Sequence, residues 1–429
     1  MEIKKYYNLG KKVLYPINRS ITGNGTEQTL KIIKNYFKNL KIKKIKSGTK
    51  AFDWKVPPEW NVRNAYIIDK YGKKIIDFKK NNLHLIGYSE SFKKKISKEK
   101  LIKHLYSLPK QPNAIPYMTS YYKRYWGFCL SHKEKLNIIK KYKKKDKFKV
   151  FIDSTFSESG FLNYGELVIK GKSKQEILIS TYICHPSMAN NELSGPIVSM
   201  ALIDYFQKKK IEKTLRFLFI PETIGSIVYL SKNLNKLKKN VIGGYNLTCI
   251  GDEMQHSCML TKYKNTLSDF ALIEAYKKLR IKYKEYSFLK RGSDERQYNS
   301  PGIDLPIASI FRTKYHEYKQ YHTSLDNFNL VTLKGLMGGF KVASNAISIL
   351  LKNVVPKSNI FCEPFLSKRK LYKTISDGKV DNNSQTLLDV LQFCDGKNDI
   401  NTISNKTNLK KKSVNKILNF LKKNKIIEL

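Results

Sequence analysis

None of the six cysteines in this 429-residue chain belongs to a CxxC pair. Cys129, Cys184, Cys249, Cys258, Cys362 and Cys394 are scattered. That spacing excludes a cysteine zinc site and a compact disulfide framework, and it fits reduced thiols in a cytoplasm. Long apolar runs are missing too. Nowhere do roughly 18 apolar residues follow one another, so no membrane span is expected. Met1–Asn18 interleaves Lys and Tyr with its apolar residues and so lacks the apolar block of a signal peptide. Acidic residues are few: 35 Asp and Glu stand against 81 Lys and Arg, for a net charge of +46. Such an excess would suit nucleic acid or an anionic membrane. The lysines are spread almost evenly, however, among much Asn, Ile and Tyr, as a biased genome would write them. Arginine is scarce by contrast, so Arg19, Arg63, Arg124, Arg296 and Arg312 mark places that need a planar fork.

What is present is enough to fold. Hydrophobic residues make up 41% of the chain, and the length suits two or three domains. Residues 2–15 and 26–40 read as helices, with Thr26 as a candidate cap of the second, and Leu40–Ile45 alternates like a strand. From Phe52 to Lys145 the texture changes to short strand-like runs, at Asn64–Ile68, Lys74–Phe78 and His84–Tyr88, followed by the aromatic stretch Tyr121–Trp126. This reads as a small β-rich insertion. From Phe148 onward nearly all-apolar strands alternate with helices. The strands are Lys149–Ile152, Glu166–Ile169, Glu176–Ile183, Thr214–Ile220, Tyr245–Ile250 and Leu305–Ile310. The pattern predicts an α/β fold with a mostly parallel sheet covered by helices. Beyond Pro356 a linker leads into Leu387–Phe393, Ile400–Asn405 and Val414–Lys423, a small helical or winged-helix tail. The expected domains are therefore 1–51 with 146–355, the insertion 52–145, and the tail 356–429.

Chemistry in an open α/β sheet gathers at the carboxyl ends of the strands. Four polar clusters fall there: Cys184-His185-Pro186 with Asn190-Asn191-Glu192, then Pro221-Glu222-Thr223, then Gly251-Asp252-Glu253, and Tyr321-His322-Thr323 after Leu305–Phe311. A lone His or Asp after a strand is usually a satisfied loop residue. Two His and two acids at the ends of separate strands match the ligand set of a hydrolytic zinc centre.

The segments NRSITG, FDWKVPPEWNVRNAYI, LPKQPNAIPYMTSYYKRYWGFC, YICHPSMANNELSG, FIPETIGSI, GSDERQYNSPGIDLP and YHTSLDN resemble a bacterial family of aminopeptidase-like proteins associated with polysaccharide biosynthesis. The resemblance runs from Arg19 to about Asp326. It implies a zinc-aminopeptidase-like domain, a β insertion and a winged-helix tail. It also implies metal ligands at His185, Asn191, Asp252 and His322, one or two zinc ions, and Glu222 as general base, with ligation by Glu222 as the alternative. Thr223 stands where a second acid is expected, and Asp294 or Glu295 are candidates to supply it. Asn191 replaces the acid that would bridge two metals. An amide offers one carbonyl oxygen and a non-ligating NH₂, which predicts a weaker, single-metal or empty site. Arg296 is a candidate clamp for a substrate carboxylate, or else an internal ion-pair partner. Arg124, within the aromatic run, would line the pocket unless that run is the insertion's own core.

The leading expectation is a cytoplasmic metal-dependent hydrolase acting on an amide bond of a small peptide or aminoacyl substrate, linked to surface polysaccharide biosynthesis. The alternative is a catalytically degenerate binding or assembly protein. A third reading, a nucleic-acid-binding regulator, rests on the charge and the tail, where Lys410, Lys411 and Lys412 open the last helix and would contact DNA or a protein partner.

Overall fold

Alternation of side chains along the central strands decides the layering. In the strand Ser173–Tyr182, Ile177 and Ile179 face one hydrophobic core while Leu178 between them faces another. Both faces are therefore covered, and the strands Lys213–Ile220 and Val241–Leu247 are buried along their whole length. The computed structural model describes residues 2–369 and 382–429.

The main sheet has eight strands. Its centre is parallel: Lys213–Ile220, Ser173–Tyr182, Val241–Leu247 and Ile307–Phe311 run side by side in one direction. One edge adds Phe161–Ile169 and then Lys41–Lys46, each antiparallel to its neighbour. The other edge adds Ser257–Met259, antiparallel, and Lys284–Tyr286. On one face lie the helices Glu2–Leu9, Asn24–Tyr36, Ser194–Gln207, Leu267–Lys278 and Leu333–Lys352. On the other lie the helix Ile224–Asn240 and the insertion, whose Val56, Trp60, Ile76 and Phe148 share a core with Leu178, Leu218 and Ile307 of the sheet. The insertion thus serves as half of a covering layer.

Two local expectations are corrected. The strand read at Lys149–Ile152 is part of Lys147–Ser157, which pairs with Glu59–Ile68 and Phe92–Ser97 in the insertion's own four-stranded sheet. Its alternating burial, one face on the insertion core and one in water, is the mark of that antiparallel sheet. Thr26 is not a cap, because the second helix begins at Asn24 after Gly23 at φ +94°. A side chain there would strike the Trp60 carbonyl, so glycine alone fits. Thr26 Oγ1 instead donates to the Ser20 carbonyl.

The tail is a winged helix-turn-helix core. The helices Asn382–Gln392, Ile400–Thr407 and Lys411–Lys423 bury Leu391, Ile403, Val414, Leu418 and Leu421. Asn408, in the left-handed conformation at φ +54°, turns the chain between the last two helices. Lys357–Ser358 pairs with Ile427–Glu428, so the start of the expected linker is a strand of the tail. Residues 370–381 of that linker lie outside the described residues. No helix among the described residues is long and apolar enough to cross a membrane.

Candidate active site

The central strands end together, and each delivers polar residues to the same edge of the sheet. Ser173–Tyr182 leads to Cys184 and His185, and Lys213–Ile220 leads to Glu222. His185 and Glu222 meet, with His185 Nε2 3.7 Å from Glu222 Oε2. On its other side His185 Nδ1 lies 2.8 Å from Glu192 Oε2. This contact fixes a proton on Nδ1 and turns Nε2 towards the site, where a cation would take the place of the Nε2 proton. Burial alone would lower the His185 pKa, yet Cys184 and Glu192 hold it well above that of a free imidazole. The His322 ring lies 5.5 Å from that of His185, centroid to centroid.

Arg19 anchors this centre from below. It is fully buried; its Nε donates to the His185 carbonyl at 3.0 Å, and an Nη donates to the Leu14 carbonyl at 2.5 Å. Nε also lies 3.5 Å from Glu192 Oε1. Among the described residues, one trio of His, Cys and acid donor atoms falls within 4.8 Å: Cys184, His185 and Glu192. With the Arg19 cation against Glu192, and Glu192 bonded to Nδ1, this trio orients His185 and is a poor cation site.

Glu222 is held by the segment the sequence singled out near it. Ser293 Oγ donates to Glu222 Oε1 at 2.7 Å. Burial pushes the Glu222 carboxyl above its ordinary value, against the pull of His185. Thr223, beside it, takes φ +65° and ψ −81°, a strained geometry for a β-branched residue. Asp294 accepts the Thr223 N–H at 2.8 Å, and Arg296 donates to Thr223 Oγ1 at 2.6 Å. Arg296 is thus tied to this turn. Glu295 accepts from Tyr315 and from the backbone of Gly292 and Ser293, so it braces the loop. Asp294 is pushed up to about 7, by burial first and then by the Glu222 charge.

Two expected ligands are otherwise engaged. Asp252 accepts four hydrogen bonds, from Met254 N and Thr313 Oγ1 on one oxygen and from Asn190 Nδ2 and Thr313 N on the other. Its four lone-pair positions are engaged by protein donors in this arrangement. Asn191 is in the site, but its Oδ1 accepts from Tyr182 OH at 2.8 Å. For Arg124 the structure matches the alternative in which the aromatic run is the insertion's own core. Arg124 lies on the surface 3.8 Å above the Phe156 ring and pairs with Glu158, because Trp126 turns inward to stack on His104 and Phe92 as insertion core.

Behind Asp252, Arg312 donates to its carbonyl at 2.8 Å and touches His256. Burial first, then Arg312, lowers the His256 pKa to about 4. A histidine with a depressed folded pKa gives stability that is complete above its unfolded pKa, about 6.5. That contribution is lost as pH falls towards 4. The urea midpoint is therefore expected to fall between pH 7 and pH 5, and His256→Gln should flatten that part of the profile; an unchanged slope would remove His256 as its cause.

Several residues that build the site were not singled out from sequence. Asp326 accepts the backbone N–H groups of Ala189, Asn190 and Asn191 and the hydroxyl of Tyr318. It thereby fixes the single π turn Ala189–Leu193 that carries Asn191 and Glu192. The insertion supplies Tyr117, whose ring meets those of His185 and His322 edge-on at 5.2 Å and 5.1 Å. Tyr117 N donates to the His322 carbonyl, and Pro116 bridges Thr323. The signal for both was their place inside the conspicuous segments PNAIPYM and YHTSLDN; no spacing rule pairs them. Taken together, His185 and His322 face one another at 5.5 Å between ring centroids with Glu222 beside His185; their donor atoms do not form a trio within 4.8 Å, so these side chains would have to draw together to hold a single cation. They do not fit a bridged pair, since no carboxylate replaces Asn191 at the centre.

The family model described as a domain of unknown function (DUF4910) matches residues 7–353, and a winged helix-turn-helix model matches residues 353–429. A Clostridium acetobutylicum protein described as a polysaccharide biosynthesis protein with an aminopeptidase-like domain is 40% identical over 405 residues, covering 94% of this chain and 91% of that protein. A crystal structure of a Clostridium acetobutylicum protein described as a peptidase superposes with a TM-score of 0.79 at 37% identity, covering 100% of this chain and 96% of the other. The zinc aminopeptidase BSAP of Bacillus subtilis superposes with a TM-score of 0.60 at 11% identity, over 82% of this chain and 95% of its own. That last likeness is one of fold.

Proposed function

The chain belongs to the DUF4910 family, and from that premise we propose that it hydrolyses an amide bond, using one zinc ion held by His185 and His322 and Glu222 as general base. The observation that carries this reading is the approach of Glu222 to the oriented nitrogen of His185, at 3.7 Å. Bound there, zinc would polarise the substrate carbonyl. The protein's own part is proton transfer and enclosure. Glu222, steadied by Ser293, takes a proton from the attacking water and passes it to the leaving nitrogen. Tyr117 and Tyr121 wall the site against bulk water. The description of the matched relative as a polysaccharide biosynthesis protein supports an aminoacyl sugar or small peptide as substrate.

Metal stoichiometry tests the reading directly. Elemental analysis of protein purified without chelator or His tag is expected to give one zinc per chain. Asn191→Asp keeps the Tyr182 hydrogen bond and adds a charge, so it should tighten zinc binding by about tenfold or more. Protein that takes up no zinc at micromolar metal would sink the hydrolase reading.

The Asn191–Tyr182 contact favours a second reading, in which the site binds a ligand without turning it over. No cleavage of any aminoacyl amide with zinc present, together with a rise in Tm on adding the ligand, would make that reading first. For the tail, the winged helix supports a DNA or protein partner; DNA affinity that persists after deletion of residues 353–429 would remove the tail from that role.

A further inference from the structure

The insertion carries aromatic side chains that the site does not use. The hairpin formed by Lys50–Ala51 and Trp54–Lys55 exposes Phe52 and Trp54 at its tip, 47% and 40% accessible. Tyr122 joins them, 52% accessible, its ring 6.3 Å from that of Trp54 and its hydroxyl donating to the Lys55 carbonyl. Other aromatic residues of this insertion find partners: Trp60 stacks on Tyr88, Tyr66 on Phe151, and Trp126 on His104.

Positive-φ backbone lies beside the exposed three, at Phe52 itself and at Tyr121 next to Tyr122. Phe52 sits at φ +52° and Tyr121 at φ +42°. Positions of this kind suit Gly or Asn, and a bulky residue there is an outlier that marks function more often than packing. The strained turn at Tyr121 sends consecutive side chains in opposite directions. Tyr121 goes inward, against Tyr88, where it feels the His185 and Glu222 charges. Tyr122 goes outward to Trp54. The hairpin also packs on the helix Ile224–Asn240, which begins two residues after Glu222. The aromatic surface is therefore the rim of the active site, continuous with its wall.

The Trp54 and Tyr122 rings, tilted 59° to one another, offer an open aromatic corner flanked by polar groups, which suits a sugar ring. Its C–H faces lie on the aromatic planes, while its hydroxyls reach polar neighbours such as the Lys55 backbone and the Arg124–Glu158 pair. We propose that Phe52, Trp54 and Tyr122 form a glycan-stacking platform, and that the substrate is an N-acylated amino sugar whose amide passes Tyr121 to reach Glu222. The inference rests on the hydrolase reading for the amide, but the platform itself is separable from catalysis.

The test is calorimetric titration with N-acetylglucosamine oligomers, and with an uncharged peptide of matched length, using the full chain loaded with zinc. Saturable glycan binding is expected, about tenfold weaker in Trp54→Ala and in Tyr122→Ala. Phe52→Gly separates function from packing: relief of the positive φ should raise Tm while affinity falls. Glu222→Gln should bind glycan as the natural protein does. Absence of glycan binding, affinity indifferent to Trp54, or a peptide that depends on Trp54 equally would overturn the proposal. Glycan affinity without turnover would sink hydrolysis alone; turnover of peptide amides without glycan affinity would sink the platform alone.

Discussion

Glu222→Gln is expected to lower turnover of an aminoacyl amide by about 100- to 10,000-fold, the usual share of a positioned general base. Glutamine keeps the size of the side chain and an oxygen for Ser293 Oγ, so the loop 292–296 should hold its place. What it loses is the capacity to accept a proton. The loss should fall on kcat, with KM and zinc content nearly unchanged, because Glu222 in this reading neither carries the cation nor binds the remote part of the substrate. Steady-state kinetics and elemental analysis of the same preparation check both halves. A variant that loses zinc together with activity would reassign Glu222 as a ligand, the alternative its distance of 3.7 Å from His185 Nε2 leaves physically open. Full activity would end the assignment.

Arg19→Ala is expected to destabilise the α/β domain by about 3–5 kcal/mol, the scale for breaking a buried ion pair from one side. Both side chains of the Arg19–Glu192 pair are wholly inaccessible. Without the guanidinium, Glu192 keeps only His185 Nδ1, and the carbonyls of His185 and Leu14 each lose a donor. Arg19→Lys should rescue little, since one ammonium cannot serve two carbonyls and a carboxylate arranged around a planar fork. Chemical denaturation followed by tryptophan fluorescence measures the effect. A loss below about 1 kcal/mol, the level of an exposed pair, would mean that the cation is not essential to this centre.

The scarcity of arginine made Arg19 visible in the sequence, and the same reasoning holds for Arg312 on the Asp252 carbonyl. It passed over Arg216, whose fork grips Glu176 inside the sheet, since a charged residue within an apolar strand reads only as an interruption. The sheet was legible because its strands are apolar on both faces. Lys147–Ser157 was assigned to the wrong sheet because local alternation does not name its partners. His185 and Glu222 were legible as polar residues at strand ends. Asp252 was read by the same rule, which locates an edge of the sheet but not the partners of a side chain, and its carboxylate is engaged by Asn190, Met254 and Thr313. Asp326 and Tyr117 act from far along the chain, through contacts that close only in three dimensions.

The join between the two sheets sets how a ligand enters and leaves. The insertion strand ends at Ser157 and the main sheet resumes at Phe161, leaving only Glu158, Ser159 and Gly160 between them. That short crossing is tied on both sides, by Ser47 N to the Gly160 carbonyl and by Phe161 N to Glu59. A second tie joins Ile115 to Ser324 across the site in both directions, N–H to hydroxyl and carbonyl to N–H. A layer fastened at two places this way has no hinge about which to swing. Those ties oppose the microsecond-to-millisecond swing of a lid and leave rotation of rim side chains, on the nanosecond scale of exposed rotamers, as the less hindered route of exchange.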